Sequence, residues 1–206
     1  MTKLLALIAA AITLALAPAA HAASVQPDPD FSIVTPDGWD HLLRDFSNLT
    51  HPTVAHVLDC VDEDPSLLKQ VGWKIEGGKV LGAYCISYRK SGMRQAAVLL
   101  QYSKGAEHDA LARKFIDTYA GEIHSGYQRR DIALTDMSAD LLEAGKDLLV
   151  IIDSKIAGAT GRYMRSATII LHDDALLNVG TVHAEDAPQA VRDQLESMPL
   201  SVTWRR

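Results

Sequence analysis

Apolar positions change period several times along this chain of 206 residues. From Phe31 to Thr35 they alternate with polar ones, which predicts a first strand with one buried face. Pro36, Asp37 and Gly38 then form a turn. Trp39, Leu42, Leu43 and Phe46 recur at helical spacing and predict a short amphipathic helix. Thr53 to Cys60 fits helix and strand equally, and Asp62 to Pro65 is a polar break. Gly77 with Gly78 is a hairpin signal between Trp73 to Glu76 and Val80 to Tyr88. Ser91 and Gly92 predict another turn, with Arg94 to Tyr102 as the next strand of an antiparallel meander.

The most regular helical pattern runs from Ala106 to Ala120. Glu107 and Asp109 in its first turn complement the dipole, Leu111, Phe115, Ile116 and Tyr119 share a face, and Gly121 is the expected terminator. Strand-like segments follow at Asp131 to Met137, Leu148 to Asp153, Tyr163 to His172 and Leu176 to His183. A last helix, Ala187 to Ser197, carries Ala190, Val191 and Leu195, and Pro199 stops it before the extended piece Leu200 to Trp204. No repeat, low-complexity tract or long linker interrupts the pattern. The expectation is therefore one α+β domain over residues 31–206, an antiparallel sheet flanked by helices, preceded by an extended leader at residues 23–30.

The first 22 residues read differently. Lys3 gives a short positive region, Leu4 to Leu16 an apolar run, and Pro18 to Ala22 a breaker followed by small residues, which together form the pattern of a secretory signal peptide. Ala20, His21 and Ala22 satisfy the small-x-small rule, so cleavage is expected after Ala22. The alternative is an uncleaved anchor, for which the run is short of the roughly 20 residues a span needs. No cysteine follows the cleavage point, which argues against a lipoprotein. The expected compartment is a bacterial periplasm, or secretion beyond it.

Composition adds bounds. The chain is 48% hydrophobic and 22% charged with two cysteines, which excludes collagen-like, disordered and disulfide-scaffold classes. Its net charge of −6 becomes −7 when Lys3 is removed. The basic clusters are no longer than pairs, such as Arg129 with Arg130 and Arg205 with Arg206, and the net charge is negative, so nucleic acid is a poor partner. Cys60 and Cys85 form an even pair in an exported chain and predict a disulfide, with two separate buried thiols as the alternative. Closing a ring of about 26 residues stabilises a fold by roughly 3.5 kcal/mol in the loop-entropy model.

The order of elements resembles the PsbP-like family, including its DcrB-type bacterial envelope proteins. The resemblance rests on Phe31 to Trp39, an extended segment running into a proline-glycine-tryptophan turn. It rests also on the closing strand Leu176 to His183, the acidic, alanine-rich helix Glu185 to Glu196, and Ser197 to Val202. It covers about a third of the chain. It implies an α/β/α sandwich that serves as a binding or accessory module, and it carries over no catalytic residue.

The chain has no Gly-x-Ser-x-Gly elbow, no His-Glu-x-x-His helix, no Walker loop and no strand-linked Gly-x-Gly-x-x-Gly. His172, Asp173, Asp174, His183 and Glu185 are metal-binding residue types. If Asp173 and Asp174 form a two-residue turn, however, His183 lies eight positions along the ladder from His172, about 26 Å away at 3.3 Å per residue. No metal or cofactor is therefore assigned. His51 and His56, five apart across Pro52, read as a surface loop, and Asp40 and His41 point apart on the expected helix. Asp59, Asp62, Glu63 and Asp64 lack the spacing of a calcium loop. The favoured reading is an exported, non-catalytic module that binds another envelope protein of basic charge, as an inhibitor, an immunity factor or an assembly factor. Its expected contacts are Asp62, Glu63 and Asp64 together with His172, Asp173 and Asp174. The alternative is a periplasmic hydrolase or small-ligand enzyme that uses Cys60 or a histidine.

Overall fold

The structure, a computed structural model, describes residues 24–28, 30–43, 49, 51–58, 68–90, 105–158 and 160–205. The first three strands are β1 (Ser24–Asp28), β2 (Phe31–Val34) and β3 (Asp40–Leu43), and α1 (Pro52–Val57) follows. A hairpin of β4 (Leu68–Glu76) and β5 (Lys79–Lys90) comes next, then the long helix α2 (Ala106–Gln128). Four long strands form a meander: β6 (Ala133–Ala144), β7 (Asp147–Gly158), β8 (Gly161–His172) and β9 (Ala175–Ala184). The chain closes with α3 (Gln189–Ser197), a 3-10 turn (Pro199–Ser201) and β10 (Thr203–Trp204). Seven strands make one sheet in the order β3-β4-β5-β9-β8-β7-β6, and β1-β2-β10 make a small second one. Every described pairing is antiparallel.

Alternation along the strands explains both faces of the large sheet. Leu148, Val150 and Ile152 of β7, Ile169 and Leu171 of β8 and Leu176 of β9 pack with Leu111, Ala112 and Phe115 of α2. Further along that face, Tyr127 at the end of α2 is buried and donates from its hydroxyl to the Val57 carbonyl at 2.7 Å. Arg165 of β8 is buried below it and donates from Nε to the Tyr127 hydroxyl at 3.2 Å, with its guanidinium 5.4 Å from the ring centre. The two Tyr127 hydrogen bonds together with this cation-π contact tie α1, α2 and β8 together. Helices therefore cover one side.

The opposite face carries Gly82, Tyr84, Ile86 and Tyr88 of β5, with Thr181, Val179 and Leu177 facing them on β9. Its cover is the small sheet, through Phe31 on Tyr88 with ring centres 5.2 Å apart, and α3, through Val191 and Leu195. Trp39 lies over Gly82 and Tyr84, and its Nε1 donates to Gln194 Oε1 of α3 at 3.2 Å. Tyr84 is almost fully buried, accepts from Gln70 Nε2 at 2.9 Å, and has its phenol pushed up to about 12 by burial.

Several expectations are corrected. The leader is strand β1, paired with β2, and Pro27 sits within its register shift, where a missing amide is tolerated. Asp40 to Leu43 is strand, not helix: Trp39, Leu42 and Leu43 have helical spacing, yet Asp40 to Leu43 pair residue by residue with Trp73 to Gln70. His56 lies in helix α1 rather than in a loop. Helix α2 runs through Gly121 to Gln128, because Ile123 and Tyr127 still have apolar surface to cover. The expected antiparallel sheet with helices against it is present, but the molecule is sheet-dominated rather than clearly an α/β/α sandwich: α1 and α2 cover one face, and the small sheet shares the other with α3. The hairpin at Gly77-Gly78 is as expected, with longer arms. The expected turn at Ser91-Gly92, the strand Arg94 to Tyr102 and the polar break Asp62 to Pro65 lie outside the described residues, as does the signal peptide.

Candidate functional site

One end of the large sheet gathers polar and aromatic groups from distant parts of the chain. Two tight turns set the strand ends there. Gly145 (φ 66°) and Lys146 join β6 to β7, and Asp173 (φ 50°) with Asp174 joins β8 to β9, where an aspartate tolerates the left-handed conformation. Leu148 pairs with Leu171 on β8, so Asp147 and His172 stand side by side just beyond them. His172 donates from Nδ1 to Asp147 Oδ1 at 2.5 Å, and Trp204 of β10 donates from Nε1 to Asp147 Oδ2 at 3.1 Å. The imidazole lies flat on the Trp204 indole, with ring centres 4.3 Å apart and planes 7° apart.

The other ring nitrogen, His172 Nε2, lies 3.6 Å from Asp173 Oδ2. Behind Trp204 are Phe31, at 5.7 Å between ring centres, and Tyr88, whose hydroxyl donates to Asp30 Oδ2 at 2.9 Å. The Arg205 amide closes the corner by donating to the Asp30 carbonyl at 2.8 Å. The bonds to the Asp147 and Asp30 carboxylates are of the charge-assisted kind, which is short and strong. The Asp147 side chain is 23% exposed and that of His172 22%, whereas that of Asp173 is 75% exposed. Asp147 therefore acts as an internal brace holding an imidazole and an indole. The outward chemistry belongs to Asp173, Asp174 and the rim of the aromatic pair. A stiff aromatic platform fringed by carboxylates suits recognition of cationic side chains.

Of the expected contact residues, the structure brings His172, Asp173 and Asp174 together in one turn. Asp62, Glu63 and Asp64 lie outside the described residues, as do Asp59 and Cys60. Cys85 is buried in β5. His172 pairs with Ala175 and His183 with Met164, the register that separates the two histidines by eight positions. Among the described residues no group of three or more His, Cys, Asp or Glu side chains is placed to hold a metal ion. Asp40 and His41 occupy successive strand positions and so point to opposite faces. Sequence reasoning missed Asp30, Asp147 and Trp204. The extended C-terminal piece was legible, but nothing local announced that its tryptophan reaches Asp147, 57 positions earlier.

Comparison with known proteins adds the fold. No family model matches the chain. No curated protein matches it either. Among solved structures, the chain is similar to cyanobacterial PsbP (CyanoP) from Synechocystis sp. PCC 6803, with a TM-score of 0.52 and 10% identity, over 85% of this chain and 87% of that one. A protein from Bacteroides thetaiotaomicron VPI-5482 aligns over 85% of this chain and 45% of its own, with a TM-score of 0.44 and 11% identity. The fold is PsbP-like. Among the described residues no helix is long and apolar enough to cross a membrane.

Proposed function

We propose that this PsbP-like chain is an exported, non-catalytic binding module that engages a basic envelope protein, as an inhibitor, immunity factor or assembly factor. The observation that carries the reading is the corner itself. Trp204 and His172 are held rigid by one carboxylate, Asp147, and the exposed Asp173 projects beside them, with the half-buried Asp174 next in the turn. Interfaces draw most of their energy from a few rigid aromatic or charged anchors, and complementary charge speeds encounter and sets partner choice. The net charge of −6 favours a basic partner over nucleic acid or an anionic surface. Export rests on Lys3, the apolar run Leu4 to Leu16 and the small residues Ala20 and Ala22.

The test is capture on the immobilised protein, purified as the source cell processes it, from envelope and secreted extracts at low and high salt. The paired bait is the double variant Asp173→Lys with Asp174→Lys. The expected result is one basic protein, held in stoichiometric amount at low salt, released at high salt and absent from the variant. Equal retention by the two baits removes the corner from the reading, and retention of nothing by either overturns the binding module.

A further inference from the structure

The acidic corner continues into a strand that is an edge among the described strands. β6 is an edge of the seven-stranded sheet and pairs, among the described strands, with β7 alone. A register shift between Thr135 and Ser138, with Asp136 at φ 50°, bends its first part away. There Asp136 is held by Lys155 at 2.7 Å, and this hydrogen-bonded pairing raises the lysine above its ordinary value. From Ser138 to Ala144 the ladder to β7 is regular, and Ala144 pairs with Asp147, the brace of the corner.

The side chains along this segment have a definite pattern. Asp140 and Leu142 share one face, opposite Ile151 and Leu149 on β7. Leu142 is 51% exposed, and Asp140 and Asp153 make no ion pair among the described residues. On the other face, Ala139 and Leu141 are half-buried with the α2 cluster, and Glu143 lies 3.9 Å from His108. Of the devices that blunt natural edge strands, β6 has a bulge in its first part and carboxylates along its length, but no lysine or proline between Ser138 and Ala144. Its carboxylates repel a second copy in the register that sets Asp140 against Asp140, and they attract a strand of opposite charge.

Resting on the binding reading above, we infer that the partner docks by adding an extended basic segment to β6 along Ser138 to Ala144. That segment would alternate lysine or arginine, facing Asp140 and Asp153, with apolar side chains, facing Ala139 and Leu141. Seven residues at 3.3 Å each span about 23 Å, and the corner lies two strand spacings, about 10 Å, from the edge. Main-chain hydrogen bonds would supply affinity, and the alternating side chains selectivity.

The probe is the synthetic peptide acetyl-Lys-Val-Lys-Val-Lys-Val-Lys-amide, compared with the same sequence N-methylated at every amide. Binding is read by calorimetry at low salt, and amide hydrogen exchange maps the site. The expected result is binding that weakens at least tenfold on N-methylation. It should weaken similarly in Asp140→Lys with Leu142→Lys, two exposed positions whose folding is checked by circular dichroism, with new protection confined to β6. No binding, equal binding of the methylated peptide, or protection elsewhere overturns the docking mode. So does a concentration-dependent dimer that itself protects β6, since it names a second copy as the occupant. If the native partner is lost from the Asp173→Lys, Asp174→Lys bait but kept by the β6 variant, the binding module stands and the edge docking fails. If both baits keep it, the corner and the edge docking both fail as contacts while the binding module stands.

Discussion

Replacing Gly72 by alanine puts a methyl group where the Tyr84 ring lies. A Cβ at Gly72 would stand 2.2 Å from Tyr84 Cε1, 2.4 Å from Cζ and 2.6 Å from the hydroxyl oxygen, all far inside contact distance. The ring has nowhere easy to go, because Tyr84 is 1% exposed, meets Trp39 at 6.1 Å between ring centres, and is bonded to Gln70. Overpacking alone costs about 1–3 kcal/mol. If the ring swings out, Gln70 loses its buried partner, which adds about 1–3 kcal/mol. The sum is about 4 kcal/mol, a large share of a total stability of about 5–15 kcal/mol. For a chain of this size it lowers Tm by about 10 °C, since each kcal/mol moves Tm by roughly 2–4 °C. The assay is a double-mutant cycle read by urea unfolding with Tyr84→Ala. In that background Gly72→Ala meets no ring and should be neutral or gain up to about 1 kcal/mol from the lost glycine entropy. Gly121→Ala is the control. It adds a Cβ with no neighbour within 4 Å inside α2 and should stabilise by about 1 kcal/mol. An equal cost of Gly72→Ala in both backgrounds refutes the packing argument.

Three further outcomes are expected. Burial raises the Tyr84 phenol to about 12 in the folded state, so the neutral form is favoured: its stabilisation is complete below pH 10 and is lost as pH climbs from 10 to 12, by about 3 kcal/mol. Urea midpoints across that window should fall more steeply for the native chain than for Tyr84→Phe. We propose that Cys60 and Cys85 are bridged, so a thiol titration of the denatured, unreduced protein should find no free thiol and reduction should cost about 3.5 kcal/mol; two titratable thiols would refute the bridge. Trp204→Ala removes the stack on His172, the contact with Phe31 and the bond to Asp147, and should destabilise by about 3 kcal/mol in thermal unfolding. A change below about 1 kcal/mol would mean that the corner is not held by its indole.

The parts legible from sequence are those encoded by neighbours. Gly77-Gly78 and Asp173-Asp174 each supply the positive-φ residue that a tight turn needs, and apolar runs flank them, so both hairpins and the His172 to His183 register follow locally. The misread parts depend on distant partners. Asp40 to Leu43 becomes a strand because β4 offers an open edge, information no window around Trp39 contains. Gly121 does not end α2 because the sheet continues beneath it, so burial of Tyr127 outweighs a local penalty of about 1 kcal/mol. Ser24 to Asp28 pairs only because Phe31 to Val34 turns back beside it.

The same contrast explains why only half of the corner was visible. A turn carries its chemistry in consecutive letters, so His172, Asp173 and Asp174 could be named together. A brace draws on separated ones. Asp147 has meaning only once β7 and β8 are in register and β10 has laid Trp204 against it. Rigidity therefore comes from long-range pairing, whereas the exposed charge comes from the local turn. If the binding reading holds, the two contributions should separate on substitution. Asp173→Asn with Asp174→Asn should weaken capture while leaving the urea midpoint near its native value, because asparagine keeps the left-handed conformation at position 173 and removes only the two charges. Asp147→Asn should lower the midpoint and weaken capture together, because it loosens the platform on which the turn stands. Loss of capture without loss of stability in Asp147→Asn would overturn the brace.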